Sequence, residues 1–374
     1  MNQKEYIGRG SASNLRLIVQ KNSAENLFIV TGKSSYESSG AKNAIEVALK
    51  GKHITYFSDF SPNPKIEDVG KGLEFFKQAQ CDLVIAVGGG SVIDVAKMIN
   101  IFSTNSHNPL DYIMKIDRFE NKGKPFVAIP TTAGSGSEAT HFAVVYVEGK
   151  KYSLAHEFIL PNYVIVDSNF HMSMPPKLAA VSGMDTMCQA IESYMSVNST
   201  EKSKEYAKES LKLSIKYIEK SVNEVSLEAR EKMAKASYLA GKAINISKTT
   251  APHAISYILT SEFGIPHGHA VALTMPHILV FNYGLNETDC NDGRGVEYVK
   301  DSIGELVEIF GDKDVISVKG HFIDLMNKIG LKTKLSQLGI KNYQHIINGV
   351  NVERLKNNPR KMNLIDIENI IQLA

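Results

Sequence analysis

The chain has 374 residues, 43% of them hydrophobic and 22% charged, with a net charge of +2 and both signs interspersed. That balance excludes a disordered chain, gives no electrostatic case for nucleic acid or a membrane surface as the main partner, and suggests two domains of ordinary size. Cys81, Cys188 and Cys290 lack the number and spacing of a disulfide framework or a thiolate zinc site, and the first residues lack the apolar centre of a signal peptide. No apolar run approaches the roughly 20 residues of a membrane span, so a cytoplasmic protein is expected.

In chain order, residues 26–32 read as an apolar strand ending in glycine and 54–58 as another, with helical spacing over 41–49 between them. Pro62-Asn63-Pro64 breaks the chain, and a helix over 66–79 leads to a buried strand at 82–87. Gly88-Gly89-Gly90-Ser91 follows at once, and then Val92, Ile93, Val95, Ala96, Met98 and Ile99 form the apolar face of a helix with Asp94, a candidate cofactor contact, in its first turn. A strand, a glycine loop and a helix amino terminus gather backbone N–H groups around one point, where a dinucleotide's pyrophosphate would fit. The triplet is not the G-x-G-x-x-G fingerprint, and by itself it reads equally as a tight turn.

A strand at 126–129 is closed by Pro130 and followed by a loop of hydroxyls and small residues that includes Thr131, Thr132 and Ser135. Such a loop can donate to phosphate or ribose without crowding it. Two loops of this kind at carboxyl ends of strands favour nucleotide binding, because ligands of open α/β sheets sit at that edge. Strands alternating with helices imply parallel pairing, so the expected fold is an α/β amino-terminal domain, 1–176, with a doubly wound, mostly parallel, Rossmann-like sheet whose last strand is 163–167. An all-α domain, 177–374, is expected after Pro175-Pro176, with long amphipathic stretches at 203–222 and 227–246.

In the helical half, Asp185 and Gln189 share one helix face, and His253 and His267 follow. A carboxylate and two imidazoles can hold a divalent ion with a position open for a substrate oxygen, and the Gln189 amide can join weakly. As isolated residues each has a commoner place: Asp185 capping a helix, His253 after a helix break at Pro252, His267 in a polar turn.

Together the motifs resemble the iron-containing, or group III, alcohol dehydrogenase family along nearly the whole chain. They are Ile7-Gly-Arg-Gly10, Ser61-Pro-Asn-Pro64, Val87-Gly-Gly-Gly-Ser-Val-Ile-Asp-Val-Ala-Lys97, Pro130-Thr-Thr-Ala-Gly-Ser-Gly-Ser-Glu138, Gly183-Met-Asp185, Pro266-His-Gly268, Ile329-Gly-Leu331, Leu338-Gly-Ile340 and Asn358-Pro-Arg360. The resemblance implies a dehydroquinate synthase-like fold, metal and nicotinamide meeting between the two domains, Fe²⁺ or Zn²⁺ on Asp185, His253 and His267, and a homodimer or larger assembly. Gln189 departs from the family, which usually has histidine there, and Tyr257 stands where many members have another histidine; its hydroxyl can donate a proton or line the pocket.

NAD-preferring members carry an aspartate after the first strand, which here is replaced by Gly32, Lys33, Ser34 and Ser35. Room, a cation and donors favour NADP(H) over NAD(H). The segments around Gln189 to Thr200, and around Lys248, Thr249, Thr250, His253 and His267, are similar to the phosphonoacetaldehyde reductase branch. This implies reduction of a short aldehyde, phosphonoacetaldehyde to 2-hydroxyethylphosphonate, with Lys248 and its threonines on the phosphonate. A general short-chain alcohol dehydrogenase, a lyase of the dehydroquinate synthase kind and a metal-free binding protein are the competing readings.

Overall fold

The computed structural model describes residues 3–374, and the chain parts into two compact units between Met174 and Pro175. The first unit is built on a six-stranded sheet of β1 (Lys4–Ile7), β2 (Asn26–Thr31), β3 (His53–Phe57), β4 (Leu83–Gly88), β5 (Phe126–Pro130) and β8 (Tyr163–Val166). Its order is β1-β8-β5-β4-β2-β3, and every neighbouring pair is parallel. Between β5 and β8 lies an antiparallel hairpin, β6 (Phe142–Val147) and β7 (Lys150–Ala155).

The central strands are continuous apolar runs because both faces of a parallel sheet are covered. Phe28, Val30, Val84, Ala86, Phe126 and Ala128 point to the face packed by α4 (Ile66–Ala79) and α5 (Gly90–Phe102). Leu27, Ile29, Leu83, Ile85, Val127 and Ile129 point to the opposite face, packed by α1 (Asn14–Lys21) and α3 (Ala41–Ala48). The short α2 (Ser35–Ser38) and α6 (Pro109–Ile113) complete this unit's helices. From β2 the chain steps outward to β3, returns to the other side of β2 as β4, and continues to β5 and β8. The carboxyl ends of β2 and β4 therefore flank the switch point, the place where open α/β sheets bind ligands.

The parallel α/β layer followed by helices agrees with the expected fold class. Two features escape the sequence reading. The edge strand β1 is mostly exposed and polar, so it carries no apolar run. The β6–β7 hairpin turns at Glu148 and Gly149, both with positive φ (48° and 76°), and β7 is too polar to stand out.

The second unit is helical throughout its described elements: α7 (Pro176–Met195), α8 (Glu201–Asn223), α9 (Leu227–Ser247), α10 (Ala251–Phe263), α11 (His267–Tyr283), α12 (Val296–Phe310), α13 (Val315–Lys328), α14 (Gln344–Gly349) and α15 (Leu364–Leu373). α7 is buried along nearly its whole length and packs on α8, α9, α11 and α12. Small residues allow this: a Cβ on Gly183 would stand 2.8 Å from Ile218. Among the described residues no helix is long and apolar enough to cross a membrane.

The packing of α4 on α5 is equally tight. A Cβ on Gly72 would lie 2.2 Å from the Ile99 Cδ1 and 2.9 Å from the Phe57 ring. Gly72→Ala is expected to lower stability by about 1–3 kcal/mol through overpacking, read as a lower urea midpoint, with Ile99→Val restoring part of it. An unchanged midpoint would refute this account of the α4–α5 contact.

Candidate active-site elements

In the helical unit the sequence-predicted ligands come together from three helices. Asp185 lies on α7, His253 in the first turn of α10, and His267 at the first position of α11, with ligand atoms all within 4.8 Å of one another. Close backbone contact sets this geometry. A Cβ on Gly268 would fall 2.1 Å from the Val181 carbonyl oxygen and 2.8 Å from the Asp185 Cβ, so only glycine lets α11 start against α7 beside Asp185. Gln189 is buried one turn beyond Asp185 on the same helix.

A residue not singled out in the sequence orients the cluster. Glu192, two turns after Asp185 on α7, is fully buried. It accepts from the Thr250 N–H at 2.8 Å, the Thr250 hydroxyl at 3.1 Å and the His253 N–H at 3.3 Å, so it caps α10 from another helix. The His253 Nδ1 donates to its other oxygen. A carboxylate only accepts, so this bond places a proton on Nδ1 and aims Nε2 at Asp185, whose Oδ1 is 3.4 Å away. A carboxylate and an imidazole facing each other, with a second imidazole adjacent, match the donor set of an open Fe²⁺ or Zn²⁺ site, and the carboxylate behind the histidine is the usual support. The spacing from Asp185 to Glu192 was the available signal, since residues seven apart share a helix face.

The other predicted residues divide. Tyr257 lies beside the cluster, its ring stacked on the His267 imidazole with centroids 6.1 Å apart. Burial pushes the phenol pKa up, with the Arg354 guanidinium working against it. Thr250 is committed to Glu192 and is not the substrate donor that its neighbourhood suggested. Lys248 is exposed and closes α9 with φ of 61°, a left-handed conformation uncommon outside glycine. Asn357 ties this turn down: its amide donates to the Ser247 and Thr249 carbonyls, and its Oδ1 accepts from the Ser196 hydroxyl and from Asn198. The serines and asparagines around 196–198 thus serve the local structure of the 247–250 turn.

In the α/β unit, parallel register sets Thr31 beside Val87 and Gly88 beside Pro130, so three loops leave the sheet side by side. The glycine loop and the hydroxyl loop then touch. A Cβ on Gly89 would sit 3.2 Å from the Thr132 Oγ1, and one on Gly90 2.5 Å from the Ser135 Oγ. Gly90 begins α5, and Gly89, Gly90, Ser91, Thr132 and Ser135 are all half-buried. The Thr131 hydroxyl is buried without a hydrogen-bond partner among the described residues, which suits an absent ligand's oxygen. A dinucleotide pyrophosphate therefore matches this cradle in donor chemistry.

Asp94, read from the sequence as a cofactor contact, turns inward, accepting from the Ser137 hydroxyl and the Val144 N–H. Lys97, buried, donates to the carbonyls of Ser137 at 2.7 Å, Thr140 at 2.8 Å and Phe142 at 2.6 Å. Together they hold the end of the hydroxyl loop. At the β2 end, Gly32 and Ser35 are in close contact, while Lys33 is exposed 3.8 Å from Asp59, which also pairs with Lys71 at 3.3 Å.

Glu192→Gln is expected to weaken divalent-ion affinity about 10- to 100-fold, measured calorimetrically; unchanged affinity would refute the orienting role. Burial opposes the charge on His253, but Glu192 and Asp185 outweigh it and push its pKa up to about 9, so an incoming ion displaces a proton. Affinity for Zn²⁺ should therefore fall about tenfold per pH unit below that value; a pH-independent affinity would show that His253 is not a ligand.

Comparison with known proteins is consistent at every level. Residues 2–168 match the iron-containing alcohol dehydrogenase family, and residues 179–374 match the family's carboxyl-terminal domain. The NAD-dependent methanol dehydrogenase of Bacillus methanolicus is 30% identical over 98% of this chain and 97% of its own length. The NADPH-dependent butanol dehydrogenase of Clostridium saccharobutylicum is 31% identical over 98% and 95%. The crystal structure of sulfoacetaldehyde reductase from Bifidobacterium kashiwanohense, in complex with NAD⁺, superposes with a TM-score of 0.89 at 31% identity, covering 99% of this chain and 96% of that one. Matched through both halves and over nearly its full length, this chain belongs to the iron-containing alcohol dehydrogenase family and is an oxidoreductase.

Proposed function

We propose that the protein catalyses the metal-dependent, NAD(P)H-linked reduction of a short aldehyde to a primary alcohol, with phosphonoacetaldehyde as the substrate and 2-hydroxyethylphosphonate as the product. The observation that carries this reading is the convergence of Asp185, His253 and His267, with His253 held by Glu192 so that its free nitrogen faces the carboxylate. Fe²⁺ or Zn²⁺ bound there would polarise the carbonyl oxygen while the nicotinamide supplies the hydride.

The chain's own residues do the rest. Asp185, His253 and His267 hold the ion, and Gln189 stands where a weaker amide ligand can join them. Glu192 keeps the imidazole at a fixed angle. Tyr257, stacked on His267 and kept protonated by burial, can hand its hydroxyl proton to the product oxygen. The N–H groups of the 88–91 loop and the hydroxyls of Thr131, Thr132 and Ser135 position the cofactor's phosphates. Gly32, Ser34 and Ser35 put no acid at this strand end, and Lys33 and Lys71 flank the single Asp59, a net positive group that favours the 2′-phosphate of NADPH.

For the substrate, a structural relative named for sulfoacetaldehyde supports an aldehyde with an anionic tail, and Lys248 adds positive charge four residues after Ile244 at the end of α9. Relatives named for methanol and butanol favour a second reading, a general short-chain alcohol dehydrogenase. A homodimer or larger assembly in the cytoplasm completes the proposal.

Initial rates of NADPH and NADH oxidation with phosphonoacetaldehyde and with an uncharged aldehyde of similar length, each with Fe²⁺, Zn²⁺ or chelator, test it. NADPH and the phosphonate should be preferred and chelator should abolish turnover; equal efficiencies for the two aldehydes would favour the second reading, and no oxidation with any of them would point to a lyase. Lys33→Ala should raise the KM for NADPH about tenfold and leave that for NADH unchanged, as loss of a charge-assisted phosphate contact predicts; equal shifts would remove Lys33 from cofactor choice.

A further inference from the structure

We infer that Arg354 recognises the anionic tail of the substrate, a tetrahedral phosphonate or sulfonate carried on the aldehyde; the inference rests on the aldehyde-reductase reading above. Arg354 lies in the short turn Val352–Asn357, far along the chain from the metal ligands. Its guanidinium carbon stands 4.7 Å from the centre of the Tyr257 ring, and its Nη1 donates to the Tyr257 hydroxyl at 3.0 Å. The same ring lies nearly parallel to the His267 imidazole, 13° between planes. The arginine is therefore one aromatic ring away from a proposed ligand, and so close to where the aldehyde oxygen would be held.

What marks this arginine is its lack of a counter-charge. Two other arginines of this unit are neutralised, the exposed Arg294 by Asp292 at 2.6 Å and the half-buried Arg360 by Asp289 at 2.9 Å. Arg354 is also half-buried, yet among the described residues no carboxylate lies within ion-pair distance of it, and the Tyr257 hydroxyl is its hydrogen-bond partner. A guanidinium has five N–H donors in a planar fork. Most of that fork is left open, and a partly desolvated cation without a partner is a ready site for an anion. The fork matches two oxygens of a phosphonate or sulfonate, whereas the exposed Lys248 is a hydrated point charge. Tyr257 then has a positioning role as well: its hydroxyl bond and ring hold the guanidinium in place.

The test uses metal-loaded, full-length protein with two readouts. Binding of 2-hydroxyethylphosphonate and of 2-hydroxyethanesulfonate is measured by calorimetry, and NADPH-dependent reduction of propionaldehyde by initial rates. Arg354→Met should weaken binding of the preferred anion about 30-fold or more, as loss of one partner of a desolvated charge pair predicts. It should leave the KM for propionaldehyde within about twofold, because the uncharged substrate makes no such bond, whereas any fall in kcat through the lost Tyr257 contact should be the same for charged and uncharged aldehydes. Arg354→Lys should recover part of the binding, and the ratio between the two anions in wild type identifies which tail the site takes. Unchanged anion binding in Arg354→Met, or binding lost in Lys248→Ala instead, would overturn the assignment while leaving the anionic-aldehyde reading intact. A loss of anion binding matched by an equal rise in the KM for propionaldehyde would overturn it in favour of a purely structural bond to Tyr257. A wild type that reduces propionaldehyde but binds neither anion would overturn both the assignment and the anionic-substrate reading, leaving the reductase.

Discussion

The helical unit depends on one buried carboxylate. Removing Glu192 from water costs several kcal/mol unless every lone pair finds a donor, and the structure supplies donors from the start of α10: two backbone N–H groups, a hydroxyl and an imidazole. The same set of bonds caps a helix, fixes its entry onto α7 and sets the ring angle of His253. Stability and chemistry are thus coupled through a single side chain, and α10 cannot shift without breaking its own cap. Gly268 does the corresponding job for α11 by steric means, since its missing Cβ is what lets His267 arrive beside Asp185.

In the α/β unit the comparable constraint is parallel register. It brings the ends of β2, β4 and β5 to one edge, and glycine on one loop meets hydroxyl on the next. The loop carrying Thr131, Thr132 and Ser135 would be soft by composition. It is held at its far end by the Lys97 ammonium, bonded to three backbone carbonyls, and by Asp94. Burial lowers the Lys97 pKa to about 8, a measure of how far the charge has been taken from water to serve as an anchor. The motif from Val87 to Lys97 therefore serves two purposes: its first residues line the candidate cradle, and its last ones brace the neighbouring loop.

Arg354 shows how a polar tail segment reaches a side chain of the ligand cluster's surroundings, Tyr257, that is distant from it in sequence. It arrives in a short turn whose anchor, Asn357, also ties the end of α9, so the arginine and the 247–250 turn are set by one asparagine. Asn358 continues the anchoring with a reciprocal amide pair to Asn282. The carboxyl-terminal Asn358-Pro-Arg360 motif reads best as the fastening of that segment.

The central strands, the long helices and the glycine and hydroxyl loops were legible in the sequence because local patterns encode them: apolar runs of strand length, 3.6-residue periodicity, and glycines directly after strands. Asp185, His253 and His267 were legible as metal-ligating residue types, and the family resemblance, not their spacing, grouped them on one ion. The polar edge strand β1 and the hairpin strand β7 carry no apolar run, and their pairing is decided by partners distant in the chain. The contacts of Glu192, Asp94, Thr250 and Arg354 are set only by tertiary structure. A charged or hydroxylic side chain looks the same in sequence whether it meets solvent, a ligand or a buried donor, and which it meets depends on the packing of helices and loops that the chain brings together only when folded.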